Sequence, residues 1–377
     1  MTFQFLVYNA QLHHDFDIRN VRIHYPRPFF HQELLYIWFL FTQKNNSNID
    51  IKMNYLITGI TGFVGPHLAD LLLKNKHNVF GLINCTNGRE NDIRDVLSDK
   101  IFNSIKFIYS DLKNFRGLEN IFKNNTFDGV FHLAAQSHPP TSFIDPIATM
   151  ETNVIGSANL IQCITDHQPD CKLMFCSTSE VYGNIGRGGK KISINDTILP
   201  ANPYGVSKAA TDLYVQERII NKKIKGFITR AFSHTGPRRG NNFSISSDAF
   251  QIARMMKGLQ DKILLVGNLE TVRVVIDVKD VVNAYYLGMI NDKCNGKIFN
   301  ICGDKPRKMQ FFTDKLIEIS KLKNVEQKIY EKFYRPIDID YQHGDSSEFT
   351  EITGWKPKIN IENTLEDLLN YWLSKIK

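Results

Sequence analysis

Residues 55–65 read Tyr-Leu-Ile-Thr-Gly-Ile-Thr-Gly-Phe-Val-Gly. The apolar run 55–57 predicts a buried strand, and the periodic run 67–74 predicts an amphipathic helix after it. Glycines at this junction allow a tight turn and let backbone N–H groups approach a pyrophosphate, whose charge the helix N-terminus favours. The spacing is G-x-x-G-x-x-G rather than G-x-G-x-x-G. We interpret the stretch as a dinucleotide-binding turn, with an ordinary glycine-rich turn as the alternative.

The alternation of short apolar runs and helix-length segments continues beyond this turn. Further strands are predicted over 78–83, 105–108, 129–133 and 172–176, with helical stretches between them. Strands separated by helices imply βαβ units, and right-handed crossovers arrange these as a doubly wound parallel sheet covered on both faces. We therefore predict an α/β protein of the Rossmann class.

After Thr235 the alternation becomes less regular. A short strand is predicted over 263–266, and helices are predicted over 311–321 and 361–375. We expect residues 53–234 to form an NAD(P)-binding Rossmann domain. Residues 235–377 are then a smaller α/β lobe for the substrate, with some strands returning to the main sheet.

The composition is that of an ordinary globular protein, with 23% charged and 42% hydrophobic residues among 377. The formal net charge of +7 is modest and the lysines are scattered among acidic residues. We therefore expect solvated faces and no nucleic-acid partner, although a slight positive excess suits an anionic substrate. None of the six cysteines forms a C-x-x-C pair. Free thiols in a reducing cytosol are expected, and no metal site.

Residues 1–52 differ in character from the rest of the chain. The apolar run 34–41 falls well short of the roughly 20 residues that a membrane helix needs, and the features of a signal peptide are missing. We expect a cytoplasmic protein with no membrane partner. Residues 45–48 read as a polar linker, and Met53 opens the first strand. The extension is expected to be poorly ordered or dispensable, with a docking element as the alternative.

Tyr204 and Lys208 stand four residues apart, on one face of a predicted helix. A lysine ammonium near a phenol favours the phenolate and lowers the tyrosine pKa. Tyr204 is therefore expected to act as a general base on a sugar hydroxyl. Tyr-x-x-x-Lys is common by chance. The pair gains weight from the glycine turn and from the segment 176–180, Cys-Ser-Thr-Ser-Glu, which ends an upstream strand at the crevice where such sheets bind ligands.

The residues after the second and third strands bear on the choice of cofactor. An acid after the second strand would bind a ribose 2′-OH, and an arginine would meet a 2′-phosphate. The segment 83–89 has no acid and ends at Arg89. We therefore predict NADP, with Arg89 as the phosphate contact and NAD as the alternative. Asp111 and Leu112 are expected to flank the adenine. The middle of the cofactor is expected to lie against Leu133, Ala134, Ala135 and Ser137.

A set of segments spread over nearly all of 53–377 carries a resemblance to a known family. They lie at 58–65, 133–138, 177–180, 202–204, 234–240, 335–340 and 354–357. On these segments the chain resembles the extended short-chain dehydrogenase/reductase superfamily, and within it most closely the GDP-mannose 4,6-dehydratases. The resemblance implies a nucleotide diphosphate sugar as substrate, with GDP-mannose favoured, and a homodimer or homotetramer.

The resemblance also implies a catalytic set of Thr178, Glu180, Tyr204 and Lys208. Tyr204 would take the proton of the sugar 4-OH as hydride leaves C4 for the nicotinamide, with Thr178 hydrogen-bonded to that oxygen. Glu180 would remove the C5 proton and help water leave C6, to which the hydride returns. Lys208 would hold the nicotinamide ribose. A glutamate that only caps a helix is the other interpretation of Glu180.

Further contacts follow from the same resemblance. The implied cofactor contacts are Tyr204, Lys208, His234 and Arg239, in addition to the contacts predicted at the glycine turn, which are Gly59, Thr61, Gly62, Phe63, Val64 and Gly65. The implied substrate contacts are Ser179, Ser233, Arg273, Arg335 and Asp338. Ser233 stands where these dehydratases usually carry asparagine, and the stretches 266–269 and 277–280 are similar to GDP-6-deoxy-mannose reductases. An NAD(P)H-dependent 4-reductase of that type, or a 4-epimerase of a related nucleotide sugar, is therefore the alternative function.

Overall fold

A computed structural model describes residues 52–84, 90–334 and 337–376. The predicted extension lies outside the described residues, apart from Lys52. Two predicted contacts, Arg89 and Arg335, lie outside them as well.

The described residues form fourteen strands and twelve α-helices. The strands are β1 (Asn54–Thr58), β2 (Asn78–Ile83), β3 (Ile105–Tyr109), β4 (Gly129–His132), β5 (Lys172–Thr178), β6 (Lys225–Ala231), β7 (His234–Thr235), β8 (Ile263–Val266), β9 (Val272–Arg273), β10 (Ile276–Asp277), β11 (Ile298–Ile301), β12 (Arg307–Lys308), β13 (Glu326–Ile329) and β14 (Tyr341–Gln342). The helices are α1 (Val64–Lys74), α2 (Asp99–Asn103), α3 (Phe115–Asn124), α4 (Pro139–Ile144), α5 (Pro146–Met150), α6 (Gly156–His167), α7 (Pro203–Ile220), α8 (Ser244–Met256), α9 (Val278–Ile290), α10 (Met309–Ser320), α11 (Ser347–Thr353) and α12 (Ile361–Lys375).

Seven parallel strands form the main sheet, in the order β11-β6-β5-β4-β1-β2-β3. Side chains alternate between its two faces, so Tyr55 and Ile57 of β1 enter one core while Leu56 enters the other. Helices α1 and α9 cover the first face, and α3, α6 and α7 cover the second. The predicted doubly wound α/β fold is confirmed.

The strands and helices predicted from the sequence are confirmed with small changes in length. β1 gains one residue at each end and β5 extends by two residues to Thr178. The predicted helix over 361–375 coincides with α12, and the one over 311–321 is α10, shifted toward the N-terminus. These segments were readable because a strand buried on both faces is a continuous apolar run.

The C-terminal third has a separate core and also contributes to the main sheet. Helices α8, α10 and α12 pack around β8, with Ala249, Phe312 and Leu368 at the centre of that cluster. Strand β11, in contrast, pairs with β6 at the edge of the main sheet. The boundary between the two predicted domains stays a prediction. None of the helices in the described residues is long and apolar enough to cross a membrane.

Candidate active site

A cleft of about 780 Å³ lies at the carboxyl ends of the main-sheet strands. It is lined by the turn after β1, by the ends of β4 and β5, by the start of α7, and by loops of the C-terminal third. Strands β1 and β4 are neighbours in the sheet. The chain after β1 continues into α1 on the first face, and the chain after β4 continues to α6 on the second face, so a crevice opens between the ends of the two strands. Ligands of doubly wound sheets bind at such a switch point.

The glycine turn after β1 has no room for side chains. Gly59 has a φ of +73°, and a Cβ there would lie 2.8 Å from the backbone of Ala134. A Cβ on Gly65 would lie 2.5 Å from backbone atoms of Ile60. The first turn of α1 contains no acidic residue, and Phe63 at its N-cap makes no side-chain capping bond. The backbone is thus bare and close to the cleft, and it fits the pyrophosphate of a dinucleotide.

A buried polar network fixes the end of β4 beside this turn. Thr58 Oγ1 accepts a hydrogen bond from Ala134 N at 3.1 Å and lies 2.7 Å from His132 Nδ1. His132 Nε2 lies 2.8 Å from Ser157 Oγ of α6. Burial lowers the pKa of His132 to about 3, so the ring is neutral. The network holds the backbone at Ala134, where the cofactor was predicted to lie.

Tyr204 and Lys208 enter the cleft side by side from the first turns of α7. Both are buried, with 9% and 4% of their surface exposed. Tyr204 N donates to Ser142 Oγ at 3.0 Å, which anchors the start of the helix. The Lys208 ammonium lies 4.3 Å from the centre of the Phe175 ring. Burial lowers the pKa of Lys208 to about 8.

The expectation that Lys208 lowers the pKa of Tyr204 is wrong for this structure. Burial raises the pKa of the Tyr204 phenol well above its ordinary value, and a hydrogen bond with Thr178 only partly opposes that rise. The Lys208 ammonium instead lies against Phe175, and its favourable charge interaction is with Asp212. The desolvation of the phenol therefore outweighs any help from the lysine.

Thr178 is the last residue of β5, and Glu180 lies two residues beyond it. Thr178 is buried, and its Oγ1 accepts a hydrogen bond from Glu180 N at 3.3 Å. The partly buried Glu180 carboxylate accepts from Asn202 Nδ2 at 2.7 Å. The same Asn202 caps α7 by accepting from Gly205 N at 2.8 Å. One asparagine therefore starts the helix of Tyr204 and holds the carboxylate beside it.

Asn202 has no predicted role, although it links the helix of Tyr204 to Glu180. The signal was present, because asparagine followed by proline is typical of an N-cap with proline at the first helical position. That pattern predicts the cap but not the second bond, since Glu180 lies 22 residues earlier in the chain.

Most of the predicted cofactor contacts meet in this cleft. Those that line it are Gly59, Gly62, Phe63, Val64, Gly65, Leu133, Ala134, Ala135, Ser137, Tyr204, Lys208, His234 and Arg239. Three others, Thr61, Asp111 and Leu112, do not line it. Asp111 accepts hydrogen bonds from Lys113 N and Asn84 Nδ2, and Leu112 lies in the core. Their roles stay predictions.

Two of these contacts surround the Phe63 ring. His234 stacks on it at 5.7 Å between ring centres, and the Arg239 guanidinium lies 5.0 Å from its centre. Arg239 also lies 3.5 Å from the centre of the Phe243 ring. Burial and the nearby Arg239 lower the pKa of His234 to about 4, so it is neutral. A cation and a set of ring faces thus border the start of α1.

The far end of the cleft is polar and belongs to the C-terminal third. The predicted substrate contacts Ser179, Ser233, Arg273 and Asp338 all line the cleft. Arg273 Nη2 lies 3.9 Å from Asp338 Oδ1, and Asn268 Nδ2 donates to Asp338 Oδ2 at 3.0 Å. The cleft is therefore divided between a glycine-rich half and a half with fixed charges.

Sequence reasoning missed Asn268, Gln342 and Asp248 in this polar half. Gln342 is 2% exposed, and its Nε2 has no hydrogen-bond partner among the described residues. Asp248 accepts a bond from Thr313 Oγ1 at 2.7 Å, and burial raises its pKa to about 7. Asn268 lies in the stretch 266–269 compared above with reductases, but no local pattern assigns a ligand to any of the three, because each reaches the cleft through tertiary folding.

Comparison with known proteins places this geometry among enzymes of nucleotide sugars. A family model described as GDP-mannose 4,6 dehydratase matches residues 56–368. A GDP-6-deoxy-D-mannose reductase of Pseudomonas aeruginosa is 29% identical over 323 residues, which are 85% of this chain and 97% of that protein. GDP-mannose 4,6 dehydratase 1 of Arabidopsis thaliana is 28% identical over 329 residues, 84% of this chain and 88% of that protein.

One solved structure extends the comparison to three dimensions. The structure of RMD from Pseudomonas aeruginosa, complexed with NADPH, superposes with a TM-score of 0.71 at 26% sequence identity. The match covers 86% of this chain and 100% of that one.

Proposed function

Because the chain belongs to the GDP-mannose 4,6 dehydratase family, whose model matches residues 56–368, we propose that it is a nucleotide-sugar 4,6-dehydratase. The proposed reaction converts GDP-mannose to GDP-4-keto-6-deoxy-mannose with NADP. Residues 53–234 would hold the dinucleotide and residues 235–377 the nucleotide sugar.

The observation that carries this proposal is the position of Glu180. Its carboxylate is fixed by Asn202 at 2.7 Å, and it lines the same cleft as Thr178 and Tyr204. Oxidation of a sugar hydroxyl needs only a base and a cofactor, whereas loss of water across C5 and C6 also needs a group that removes the C5 proton. A carboxylate held beside the tyrosine supplies that group.

The proposed steps use the geometry of these side chains. A bound nicotinamide would supply the hydride acceptor for C4 and the hydride donor for C6. Tyr204 removes the proton of the 4-OH, and Thr178 donates a hydrogen bond to that oxygen. Glu180 then removes the C5 proton, which the 4-keto group has acidified, and passes it to the C6 hydroxyl as water leaves. Return of the hydride to C6 requires one proton at C5, and the proton that Tyr204 took from the 4-OH balances that uptake. Lys208 binds the nicotinamide ribose.

The raised pKa of Tyr204 fits an enzyme that works only when its cofactor is bound. A positive charge beside a buried phenol lowers the phenol pKa, and an oxidised nicotinamide carries such a charge. NADP is proposed because the sequence of the segment 83–89 contains no acid and ends at Arg89, with NAD as the alternative. A similar structure, that of RMD, is complexed with NADPH.

A product assay tests the proposal directly. Purified protein with NADP and GDP-mannose should yield a product lighter by one water, measured by mass spectrometry, with no net formation of NADPH. Glu180→Gln should abolish the loss of water, because the amide cannot take the C5 proton. Glu151→Gln is the matched control, since Glu151 is exposed and lies 3.8 Å from Lys113 at the surface. Unchanged turnover by Glu180→Gln would contradict the assigned role.

A second candidate is an NAD(P)H-dependent 4-reductase. The observation that favours it is the 29% identity to a GDP-6-deoxy-D-mannose reductase over 97% of that protein. A reductase would oxidise one NADPH for each GDP-4-keto-6-deoxy-mannose consumed, and it would tolerate Glu180→Gln. A 4-epimerase would invert C4 without net use of cofactor. A panel of nucleotide sugars, with the products identified by mass spectrometry and nuclear magnetic resonance and with NADPH consumption followed, separates the three reactions.

We also propose that the protein is a homodimer or homotetramer. Several large apolar side chains on α5 and α7 are exposed, including Ile147, Leu213 and Ile220. The two helices pack against each other, so these residues lie on neighbouring elements beside the active site. Sedimentation equilibrium measures the assembly, and a monomer at micromolar concentration would contradict the proposal.

A further inference from the structure

Two consecutive arginines, Arg238 and Arg239, follow β7, and their side chains lie on opposite sides of the glycine turn. Arg239 faces the cleft and lies over Phe63. Arg238 does not line the cleft. Its φ of +76° falls in the left-handed region, which favours glycine and is costly for a long side chain. Arg239 N bonds to Gly236 O at 3.1 Å, so the strained residue occupies the third position of a tight turn.

The Arg238 guanidinium holds the glycine turn from behind. Nη2 donates to Thr61 O at 3.0 Å, and Nε donates to Gly62 O at 3.4 Å. A trans peptide is planar, so its N–H points away from its carbonyl. Fixing Gly62 O therefore directs the N–H of Phe63 away from Arg238. Phe63 lines the cleft at the start of α1, where a dinucleotide pyrophosphate would need donors.

Asp95 connects this arginine to the C-terminal helix. Its nearly buried carboxylate accepts from Arg238 Nη1 at 2.7 Å and from Tyr371 Oη at 2.9 Å, and it pairs with Lys375 Nζ at 3.1 Å. Tyr371 and Lys375 belong to α12, which packs on α8 and α10 of the C-terminal core. Three donors from two segments thus hold one carboxylate beside the turn.

We infer that Arg238 is a positioning residue for the dinucleotide. It sets the peptide planes of the glycine turn, and through Asp95 it ties that turn to α12. This inference rests on the proposed dinucleotide site, and it concerns the affinity for cofactor rather than the identity of the sugar. It explains why a strained backbone is retained at Arg238, where glycine would fit without cost.

Binding of NADPH and of GDP-mannose to the full chain, each measured by calorimetry, tests the inference. Arg238→Met should weaken NADPH binding by about ten- to a hundredfold, because the charged hydrogen bonds to Thr61 O and Gly62 O are lost together with those to Asp92 O and Asp95. GDP-mannose binding should change by less than about twofold. Arg238→Lys should be intermediate, since lysine keeps the charge but lacks the fork that reaches both carbonyls and Asp95.

Tyr371→Phe keeps the test valid if Arg238→Met does not fold. It removes one of the three donors to Asp95, so NADPH binding should weaken by about two- to fivefold. Asp367→Asn is the matched control on α12, because Asp367 is half exposed and pairs with Lys279 at the surface, and it should change neither affinity.

The outcomes separate this inference from the proposed function. A wild-type protein that binds neither NADPH nor NADH would overturn the proposed function itself. If Arg238→Met and Tyr371→Phe both bind NADPH with the wild-type affinity, only the positioning role is overturned. Equal weakening of NADPH and GDP-mannose binding would also overturn it, because that result indicates a general structural defect.

Discussion

Lys208→Met should make the protein more stable at neutral pH while removing its activity. The Lys208 ammonium is buried, and its pKa is lowered from 10.5 to about 8. Each pKa unit corresponds to about 1.36 kcal/mol, so folding with a charged Lys208 costs about 3 kcal/mol at pH 7. The loss of the contact with the Phe175 ring offsets about 1 kcal/mol of the gain. A net gain of about 2 kcal/mol is expected.

The pH dependence of this gain follows from the direction of the shift. Between pH 8 and 10.5 the unfolded chain keeps the lysine proton and the folded chain has lost it, so the wild type becomes more stable as pH rises. The penalty is complete below pH 8 and vanishes above 10.5. The advantage of Lys208→Met should therefore be full at pH 7 and much smaller at pH 10.

Differential scanning calorimetry of the cofactor-free protein between pH 7 and 10 measures this effect. A gain of about 2 kcal/mol corresponds to a Tm higher by a few degrees. Lys172→Met is the comparison variant, because the Lys172 ammonium is also buried but donates to Gly288 O and Asn291 O. That variant should be less stable, since two carbonyls lose their donor. A Lys208→Met protein that is less stable at pH 7, or equally favoured at both pH values, would refute the reasoning.

Three further changes should affect stability or cofactor binding. Asp212→Asn leaves the buried Arg230 guanidinium without its bidentate carboxylate and should lower the free energy of unfolding by about 3–5 kcal/mol, measured by denaturant titration. His132 has a pKa of about 3 in the folded chain against 6.5 unfolded, so stability should fall below pH 6.5 by up to about 1.4 kcal/mol per pH unit, and His132→Gln should reduce that slope in thermal scans. Gly59→Ala should weaken NADPH binding more than tenfold in calorimetry, because the added Cβ meets backbone at 2.8 Å.

Each of these has a distinguishing control. Replacing Asp212 and Arg230 together by apolar residues should cost less than the sum of the single changes, and strict additivity would contradict the pairing. The His132 prediction fails if the acid slope is the same in His132→Gln. Gly258→Ala has a similar φ of +70° but meets nothing within 4 Å. If it weakened NADPH binding as much as Gly59→Ala, close approach to Ala134 would not be the cause.

Five strands of the main sheet, β1 to β5, could be predicted, whereas β6 and β11 were not. Four of the five are buried along nearly their whole length, and the edge strand β3 is partly exposed. The apolar runs at β1 to β5 mark those strands to within one or two residues. The two-residue strands β7, β9, β10, β12 and β14 could not be predicted, since two residues show no periodicity. They bring Arg273 and Gln342 into register in the polar half of the cleft.

Site residues could be predicted where the side chains that act together are close in the sequence. The spacing of Tyr204 and Lys208 places both on one helix face, but it does not decide where the lysine ammonium points. Here it points to Phe175, 33 positions earlier in the chain, so the predicted effect on Tyr204 was wrong. The roles of Asn202 and Asp95 depend on partners far along the chain, which no local pattern reveals.

The position of β11 has a consequence for how the chain is made. The sheet that carries the glycine turn ends at β6 until residues 298–301 are added, and α9 covers the face beside α1. A growing or shortened chain that stops near residue 234 would expose the β6 edge and the bare ring of Phe227. An exposed apolar strand edge invites pairing with other chains. The main sheet, which holds the predicted dinucleotide site, is therefore complete only after β11 and α9 have been synthesised. Until then its N-terminal part lacks the strand and the helix that cover it.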